Sequence, residues 1–383
     1  MIRLAIVGVG KMGLSHQAIA NAHPKVELAG VCDSAGYLVD VLNRYTSVPV
    51  YTDYATMLDQ ASLDGVIVAT PSASHAVMVR MALARGLHVF CEKPFTLHWE
   101  EGLELAAIAE SAGLVSQVGY HARFIGPFQE AKRAIDSGTI GRVTHASAEA
   151  FGGVVLKTKG ATWRSRRAEG GGCLYDYAAH PLNLLNWYFG APLSTRGTVL
   201  GRIFSRETED EVYGTLDFPN QVSARVAVNW SDASFRKMTI RLTVTGTQGR
   251  LEVDRQELQL FRRGAVPYNR RYGSGWTRSN ATELTDTTWF YLRGEEYSAQ
   301  IDHFVRRILD PRLPPVNDFV SAAETDRTIA MMIADAEGSP PASASLPPAN
   351  FARAARAQPL RLRHRWHPRH WLPGRWLPAR WRP

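Results

Sequence analysis

Short apolar runs rich in β-branched residues alternate with longer stretches of helical periodicity along the first 120 residues. The apolar runs predict strands over residues 4–7, 26–32, 66–69, 88–91 and 115–118. The stretches between them predict helices over residues 14–22, 76–85 and 99–112. Strands that alternate with helices build a parallel sheet with helices on both faces. The first part of the chain is therefore expected to be an α/β domain.

The pattern changes after about residue 120. A predicted helix over residues 174–189 precedes strands in direct succession, over 199–204, 212–218, 222–230, 238–245 and 250–253. Successive strands without intervening helices indicate an antiparallel or mixed sheet. Two more helices are predicted over residues 295–309 and 321–335. Residues 121–338 are therefore expected to form an α+β domain with a large open, mostly antiparallel sheet.

Residues 339–383 differ in composition, because Pro, Ala, Arg and Trp dominate them. Proline at this density disfavours helix and sheet, so this tail is predicted to be disordered or polyproline-like. The chain has a formal net charge of +8, and residues 340–383 hold nine arginines and no acidic residue, which leaves about −1 for the first 339 residues. The tail could contact an anionic membrane surface or a nucleic acid. Nothing else in the sequence supports either partner.

The lengths of the apolar runs and the spacing of the cysteines favour a cytoplasmic protein. No apolar run approaches the roughly 18 to 20 residues that span a bilayer, and the N-terminus enters a predicted strand without a charged leader. Cys32, Cys91 and Cys173 lie far apart and form no C-x-x-C pair, so neither a disulfide framework nor a metal site is predicted. No membrane, nucleic acid or catalytic metal is expected as a partner.

A glycine-rich turn follows the first predicted strand and opens the first predicted helix. It reads Gly8-Val9-Gly10-Lys11-Met12-Gly13, which is the G-x-G-x-x-G spacing of dinucleotide-binding Rossmann domains. The first glycine permits a tight turn, the second lets the backbone approach a pyrophosphate, and the third lets helix and strand pack closely. The phosphates then lie at the positive end of the helix dipole. Residues 1–120 are therefore predicted to be a Rossmann NAD(P)-binding domain, with Lys11 and Met12 among the cofactor contacts.

An aspartate at the end of the second predicted strand indicates which dinucleotide binds. Asp33 stands 20 residues after Gly13, where a carboxylate accepts hydrogen bonds from the ribose hydroxyls of NAD. Because a carboxylate repels a 2′-phosphate, NAD is favoured over NADP. Ser34 beside it could hold a phosphate if the carboxylate turned away, so NADP stays open.

Three further segments, taken together, resemble one enzyme family. Thr70-Pro71 and His75 come first, and Cys91-Glu92-Lys93-Pro94 ends the strand predicted over residues 88–91. The third segment, Gly170-Gly171-Gly172-Cys173-Leu174-Tyr175-Asp176-Tyr177-Ala178-Ala179-His180, lies in the second domain. In order and spacing, these segments and the glycine motif resemble the Gfo/Idh/MocA oxidoreductases, from residue 1 to about residue 338.

The resemblance implies roles for these residues. Thr70, Pro71, His75 and Glu92 would belong to the cofactor site. Lys93 would lie beside both the nicotinamide and the reacting hydroxyl, with Asp176 and His180 completing the catalytic group. The resemblance also implies a homodimer or a homotetramer.

The residue types suit the oxidation of an alcohol. Removing a hydride from a secondary alcohol leaves a carbonyl only if the hydroxyl proton also departs, so a base with a pKa near neutrality must contact that oxygen. His180 is the predicted base. Asp176, four residues earlier on a predicted helix, would share its face and could fix the imidazole or hold a neighbouring substrate hydroxyl. Lys93 could hydrogen-bond the same oxygen and stabilise its developing charge.

Candidate substrate contacts come from three places in the chain. One group follows the last predicted strand of the first domain, where open α/β sheets bind ligands. Trp163 and Arg164 precede the glycine triplet; the indole could stack on a sugar face, and the guanidinium could bind a hydroxyl or a carboxylate. Asn183 follows His180 by three residues, at a position where the resembled family often has a carboxylate. In chain order the candidates are Tyr120, His121, Arg123, Trp163, Arg164 and Asn183.

Four functions can be compared with these residues. The sequence favours a dehydrogenase or reductase that acts on a sugar, a sugar derivative or an inositol. A glycosidase that oxidises a ring hydroxyl transiently would need the same lysine and histidine plus a tightly held cofactor. A regulatory dinucleotide or sugar sensor would be expected to lack Lys93 or His180, and both are present. Reduction of a non-sugar carbonyl compound, such as a diketone or a cyclic diene, is the fourth.

Overall fold

Two β-sheets organise the chain, and helices pack against both of them. The computed structural model describes residues 1–156, 163–264, 272–287, 289–290 and 294–338. The tail that is predicted to be disordered, residues 339–383, lies outside the described residues. In the part of the chain that the structure describes, no helix combines the length and the apolar character needed to cross a bilayer.

The first sheet carries the α/β pattern expected from the sequence. Its six strands are β1 (Ile2–Val7), β2 (Val26–Cys32), β3 (Val50–Tyr51), β4 (Gly65–Val68), β5 (His88–Cys91) and β6 (Ser116–Val118). The helices between them are α1 (Lys11–Ala22), α2 (Gly36–Tyr45), α3 (Tyr54–Gln60), α4 (His75–Leu83) and α5 (Trp99–Ser111). All strand pairs are parallel, in the order β3–β2–β1–β4–β5–β6. In such a sheet the ligand crevice lies at the carboxyl ends of β1 and β4, where the order reverses.

The second sheet has eight strands and is mostly antiparallel, as the sequence predicts. Its strands are β7 (Val143–Phe151), β8 (Ser194–Gly201), β9 (Glu211–Phe218), β10 (Val222–Asn229), β11 (Arg241–Gly246), β12 (Gly249–Asp254), β13 (Glu257–Arg262) and β14 (Gly275–Asn280). They lie in the order β14–β13–β12–β11–β7–β10–β9–β8, and only β7 and β10 among the described strands of this sheet pair in parallel. The associated helices are α6 (Gly126–Asp136), α7 (Ala179–Phe189) and α8 (Ala281–Leu284).

Several elements are not predicted by the hydrophobic pattern. Strand β7 buries Ala146, Ala148 and Ala150, and such small side chains give a weak apolar signal although the strand is central. The edge strand β14 alternates between exposed and half-buried residues, so it presents no apolar run. Helix α6 begins with Gly126-Pro127, which from sequence alone indicates a turn.

Two C-terminal helices, α9 (Glu295–Leu309) and α10 (Phe319–Ala336), return to the first sheet. Ile301, Phe304 and Val305 of α9 are buried in the same apolar cluster as Leu4 of β1. Helix α10 contacts α5 as well as α7 and β8. Helix α9, which lies in the second part of the chain, therefore contributes to the core of the first sheet.

Candidate active site

The glycine motif forms a tight connection between β1 and α1. Gly8 has φ of +88°, and a Cβ at this position would lie 2.7 Å from the carbonyl of Ala69. A Cβ on Gly13 would lie 1.8 Å from the oxygen of Gly8, so helix and strand approach too closely for any side chain. Gly10 differs, because a Cβ there would meet no atom of the described residues within 4 Å. The second glycine therefore leaves open space at the N-terminus of α1, where an anion is stabilised by the helix dipole.

A cavity of about 720 Å³ lies at this connection. Most of the predicted cofactor residues line it, together with Trp163, Arg164 and Asp176. The lining residues that the sequence predicts for the cofactor are Gly8, Gly10, Lys11, Met12, Asp33, Ser34, Thr70, Pro71, Glu92 and Lys93. The side-chain-free surface of Gly10 beside a helix N-terminus fits a dinucleotide pyrophosphate.

Asp33 joins the glycine loop to the end of β2. Its Oδ2 accepts a hydrogen bond of 2.6 Å from the backbone N–H of Val9, and its Oδ1 accepts one of 2.8 Å from Ala35. An ionised carboxylate has about four acceptor positions, so these two bonds leave capacity for ribose hydroxyls. The carboxylate is thus held in the cavity wall at the place where the sequence predicts it.

Glu92 fixes the segment that carries Lys93. Its Oε1 lies 2.6 Å from Nε2 of His16, and its Oε2 accepts a bond of 3.2 Å from the backbone N–H of Lys93. Burial opposes ionisation of Glu92, but the hydrogen bond from His16 and the charge of Lys93 hold its pKa below the usual value. Glu92 is therefore a carboxylate that orients the backbone on which Lys93 stands.

His75 contacts the backbone of two segments next to the cavity, at Thr70 and at Pro94. Its Nδ1 lies 2.8 Å from the oxygen of Pro94 and its Nε2 lies 3.0 Å from the oxygen of Thr70. The ring is buried, and burial lowers its pKa. The Lys93–Pro94 peptide bond is cis. The sequence predicts His75 as a cofactor contact, but the structure places it behind the cavity wall, between Thr70 and Pro94.

Lys93 and Arg164 form an ion cluster around the buried carboxylate of Asp176. The Nζ of Lys93 donates hydrogen bonds of 2.8 Å to both the backbone oxygen and Oδ1 of Asp176, and Nε of Arg164 donates one of 2.9 Å to Oδ2. Burial raises the pKa of Asp176, but the charges of Lys93 and Arg164 outweigh burial and hold it below the usual value. Asp176 is therefore ionised and binds both cations.

The helix predicted over residues 174–189 is two elements. Leu174–Ala178 forms a π-helical turn, and α7 begins at Ala179. Asp176 therefore does not bond His180 as a pair on one α-helical face would, and it contacts Lys93 instead. Single π-turns inside helices are frequent at functional sites. The expected fixing of the imidazole by Asp176 is not observed, and Nδ1 of His180 is buried without a hydrogen-bond partner among the described residues.

A second cavity, of about 580 Å³, adjoins the first. Both cavities are lined by Lys93 and Asp176, while His121 and His180 line only the second. The ring centroids of the two histidines are 4.8 Å apart. Burial lowers the pKa of His121 to about 3, and burial followed by the charge of Lys93 lowers that of His180 well below its usual value. Both rings are neutral at neutral pH, and His180 is a weaker base than the sequence predicts.

Three predicted substrate contacts lie in the core and do not line either cavity. Arg123 is buried; its Nε donates a bond of 2.8 Å to Oδ1 of Asn183, and its guanidinium stacks on Trp187. Asn183 also donates a bond of 3.1 Å to the hydroxyl of Thr325. Tyr120 is buried too. Arg123 and Asn183 thus bond to each other within the core, and the structure places all three residues away from the two cavities.

The remaining candidates reach the cavities. Trp163 lines the first cavity, and Arg164 lines both, with its guanidinium 4.6 Å from the centroid of the Trp163 ring. A Cβ on Gly171 would lie 2.4 Å from the oxygen of Arg164. The glycine triplet therefore lets the Arg164 segment approach closely, which brings this guanidinium to Asp176.

Several residues of the second cavity are not among the sequence candidates. They lie on the π-turn, on the loop between β10 and β11, on the turn between β12 and β13, and on α9. In chain order they include Tyr177, Arg236, Lys237, Arg255 and Tyr297. Tyr177 follows Asp176 directly and could have been found from that motif, whereas the other four carry no local signal.

Two family models match the chain. The first, described as "Oxidoreductase family, NAD-binding Rossmann fold", covers residues 2–120. The second, described as "GFO/IDH/MocA C-terminal domain", covers residues 128–252. Together they cover the first sheet, the second sheet from β7 into β12, and the segments that hold Lys93, Asp176 and His180.

Individual proteins are similar over most of the chain. An uncharacterized oxidoreductase of Schizosaccharomyces pombe is 29% identical over 81% of this chain and 83% of its own length. A scyllo-inositol 2-dehydrogenase (NAD(+)) of Bacillus subtilis is 26% identical over 65% of this chain and 72% of its own. The solved structure of a levoglucosan dehydrogenase in complex with NADH has a TM-score of 0.77 at 19% identity, covering 88% of this chain and 97% of that one. The structural similarity establishes the fold.

Proposed function

The chain belongs to the Gfo/Idh/MocA oxidoreductase family, and from this premise we propose that it transfers a hydride between NAD and a hydroxyl-bearing carbon of a sugar, a sugar derivative or an inositol. The observation that carries the proposal is the meeting of two cavities at Lys93 and Asp176. One cavity has the glycine loop of a dinucleotide site, and the other is lined by two histidines. The similarity to a scyllo-inositol 2-dehydrogenase supports a polyol substrate.

Lys93 binds the reacting oxygen. An ammonium has three N–H donors, and Asp176 takes two of them, which leaves one to point at a substrate hydroxyl. Positive charge at this oxygen stabilises the negative charge that develops when the hydroxyl proton departs. Asp176 and Arg164 hold the ammonium in place. When bound, NAD accepts the hydride in oxidation and supplies it in reduction.

His180 exchanges the hydroxyl proton. Its ring is neutral at neutral pH because burial and the Lys93 ammonium lower its pKa, and the neutral ring is the form that accepts a proton. A weak base suffices where the neighbouring ammonium lowers the pKa of the hydroxyl. In the reductive direction the same ring returns the proton to the oxygen.

Asp33 selects the cofactor. Its carboxylate lines the cavity next to Ser34 at the end of β2, where it accepts hydrogen bonds from the ribose and repels a 2′-phosphate. NAD is therefore the preferred form, and NADP binds more weakly.

A screen of substrates tests the proposal. Inositols, aldoses, amino sugars and nucleotide sugars are each mixed with the protein and NAD or NADP, and absorbance of the reduced nicotinamide is followed. We expect net NADH formation with a member of this panel. Cleavage of a nitrophenyl glycoside without net NADH would favour transient oxidation instead. Binding of NAD without any chemistry would favour a sensor and contradict the proposal.

We also infer that the face of the second sheet that carries Val199 and Tyr213 pairs with another copy, giving a dimer or tetramer. Val199 of β8 and Tyr213 of β9 are neighbours in register, and both are exposed. An exposed apolar pair on an open sheet favours self-association. Light scattering should give a mass of two or four chains, and a Tyr213→Arg variant should shift it toward one. A wild-type mass near 42.5 kDa would contradict this inference.

A further inference from the structure

The second cavity has an excess of positive charge. Six cationic side chains and two carboxylates, those of Glu92 and Asp176, line it. Three of the cations have identified tasks near the cofactor, because Lys93 and Arg164 bind Asp176 and Lys11 also lines the dinucleotide cavity. The other three line the second cavity and not the first, and they are Arg236, Lys237 and Arg255.

These three cations come from two separate turns. Arg236 and Lys237 are consecutive in the loop that joins β10 to β11, and Arg255 lies in the turn that joins β12 to β13. Both turns reach one cavity because β11 and β12 are adjacent strands. Among the described residues, none forms an ion pair with Lys237.

Arg255 is anchored for this position. Its Nη2 bonds Oε1 of Glu296, a buried carboxylate in the first turn of α9, while its own side chain remains 56% exposed. A guanidinium has five N–H donors in a rigid fork, so this pairing leaves several donors unused. Arg255 lines the second cavity and also a neighbouring cavity that Glu296 lines. A cation that is held by a buried partner and lines a cavity is suited to binding a carboxylate or a phosphate.

We propose that the substrate carries an anionic group, a carboxylate or a phosphate, which Arg255, Lys237 and Arg236 bind while its reacting hydroxyl faces Lys93 and His180. This inference rests on the proposed function, since it names the substrate class of the same site. A cavity of about 580 Å³ accommodates a sugar acid or a sugar phosphate.

The electrostatics of the cavity agree with an anionic ligand. Its histidines add no charge of either sign. Burial is the main reason that the pKa of His121 is lowered to about 3, and the positive charges of Arg255 and Lys93 lower it further. A cleft lined by charge of one sign concentrates ligands of the opposite sign. A neutral sugar would displace water from these cations without supplying a negative charge. The cavity should therefore bind an anion in preference to its neutral counterpart.

Matched sets of ligands test the inference. Aldoses and inositols are each compared with their own uronic or aldonic acid and their own phosphate ester, for example D-glucose with D-glucuronate and D-glucose 6-phosphate, by kcat/KM with NAD. The variants are Arg255→Gln and Lys237→Gln. The control is Arg312→Gln, which removes one positive charge at a position 90% exposed and outside both cavities.

We expect the member with the highest kcat/KM to be anionic, and the carboxylate and phosphate arms identify which anion is preferred. Each cavity variant should lower that value by about tenfold or more, because a hydrogen bond to a charged group is lost. It should lower the value for the neutral counterpart less, and Arg312→Gln should change neither. A neutral member that is preferred, with equal losses for both members in the variants, would overturn the inference.

Calorimetry on the NADH complex distinguishes a failure of the proposed function from a failure of the anion-binding inference. If nothing in the panel is oxidised, the proposed function fails. Binding of D-glucuronate or D-glucose 6-phosphate that Arg255→Gln weakens would then still support the anion site. No binding of any anion in the panel would overturn the site as well.

Discussion

Lys93 donates two hydrogen bonds of 2.8 Å to Asp176, one to the side chain and one to the backbone, although 83 residues separate the two in the chain. Lys93 stands just beyond β5 of the parallel sheet, and Asp176 lies in the π-turn before α7. The contact therefore joins the two parts of the chain at the boundary between the two cavities. Because it uses a backbone oxygen as well as a carboxylate, it fixes the π-turn and the lysine relative to each other.

This geometry sets what each side chain can do. The charges of Lys93 and Arg164 hold the pKa of Asp176 below its usual value, so its carboxylate is a poor base. Under the proposed function, removal of the hydroxyl proton therefore falls to His180. No hydrogen bond joins the carboxylate of Asp176 to Nδ1 of His180. Under the proposed function, different residues therefore position the substrate oxygen and exchange its proton.

Asp33 is expected to determine the cofactor preference. Asp33→Ala should weaken NAD binding by about tenfold and narrow the preference over NADP, because a charge-assisted hydrogen bond and the repulsion of a 2′-phosphate are both lost. Dissociation constants for both dinucleotides measure this. Asp40→Ala, an exposed change on α2 outside the cavity, serves as the control. An unchanged preference in Asp33→Ala would mean that the ribose is bound elsewhere.

His180 is expected to be needed for turnover and not for cofactor binding. His180→Ala should lower kcat by about two to four orders of magnitude, with the NAD dissociation constant retained. His145→Ala, on the exposed side of β7, is the matched control. Since the pKa of His180 lies well below its usual value, its protonation should produce no loss of kcat/KM between about pH 8 and pH 6. A loss in that range that disappears in His180→Gln would refute this account of the ring.

Asn183 is expected to act on stability and not on substrate binding. Asn183→Ala should lower the free energy of unfolding by about 1–3 kcal/mol, because the buried guanidinium of Arg123 loses its side-chain acceptor. Chemical denaturation measures this change. KM for the best substrate should stay within about twofold of wild type. A large rise in KM with unchanged stability would restore Asn183 to the substrate site.

Asp326 is expected to make stability depend on pH. This buried carboxyl accepts bonds from the N–H and hydroxyl of Thr96, yet burial raises its pKa to about 8. The folded protein then holds a proton that the unfolded chain releases, so stability falls as pH rises from the unfolded pKa toward about 8, by at most about 1.4 kcal/mol per pH unit.

Comparison with Asp326→Asn isolates this effect. Between about pH 6.5 and pH 8 the wild-type free energy of unfolding should fall more steeply than that of the variant, and the histidines common to both cancel in the difference. Parallel curves for the two proteins would show that Asp326 is ionised in the fold.

Much of the fold follows from the sequence because its signals are local. Strands β1, β2 and β5 are apolar runs buried on both faces, and the glycine motif is compact enough to read directly. Strand β7 is not predicted, because its buried residues are alanines, which give a weak apolar signal. Its place at the centre of a sheet depends on pairing with strands far along the chain.

The candidate site is predictable only where motifs mark it. Lys93, Asp176 and His180 each lie in a recognisable segment, and the structure brings them to one cavity. Arg255 and Lys237 carry no such mark, because sheet topology alone brings their two turns together. For Arg123 the sequence indicates a ligand contact, because the residue follows a strand end that commonly faces ligands. In the structure its guanidinium is buried against Asn183 and Trp187.

The most direct test of the account is the rate of hydride transfer in Lys93→Ala, measured in a single turnover with saturating NAD and the best substrate from the screen. Loss of the ammonium at the reacting oxygen should slow this step by about two to four orders of magnitude, while NAD binding is retained and the exposed control Lys25→Ala behaves as wild type. A folded Lys93→Ala protein that transfers hydride at a near-wild-type rate would contradict the central claim.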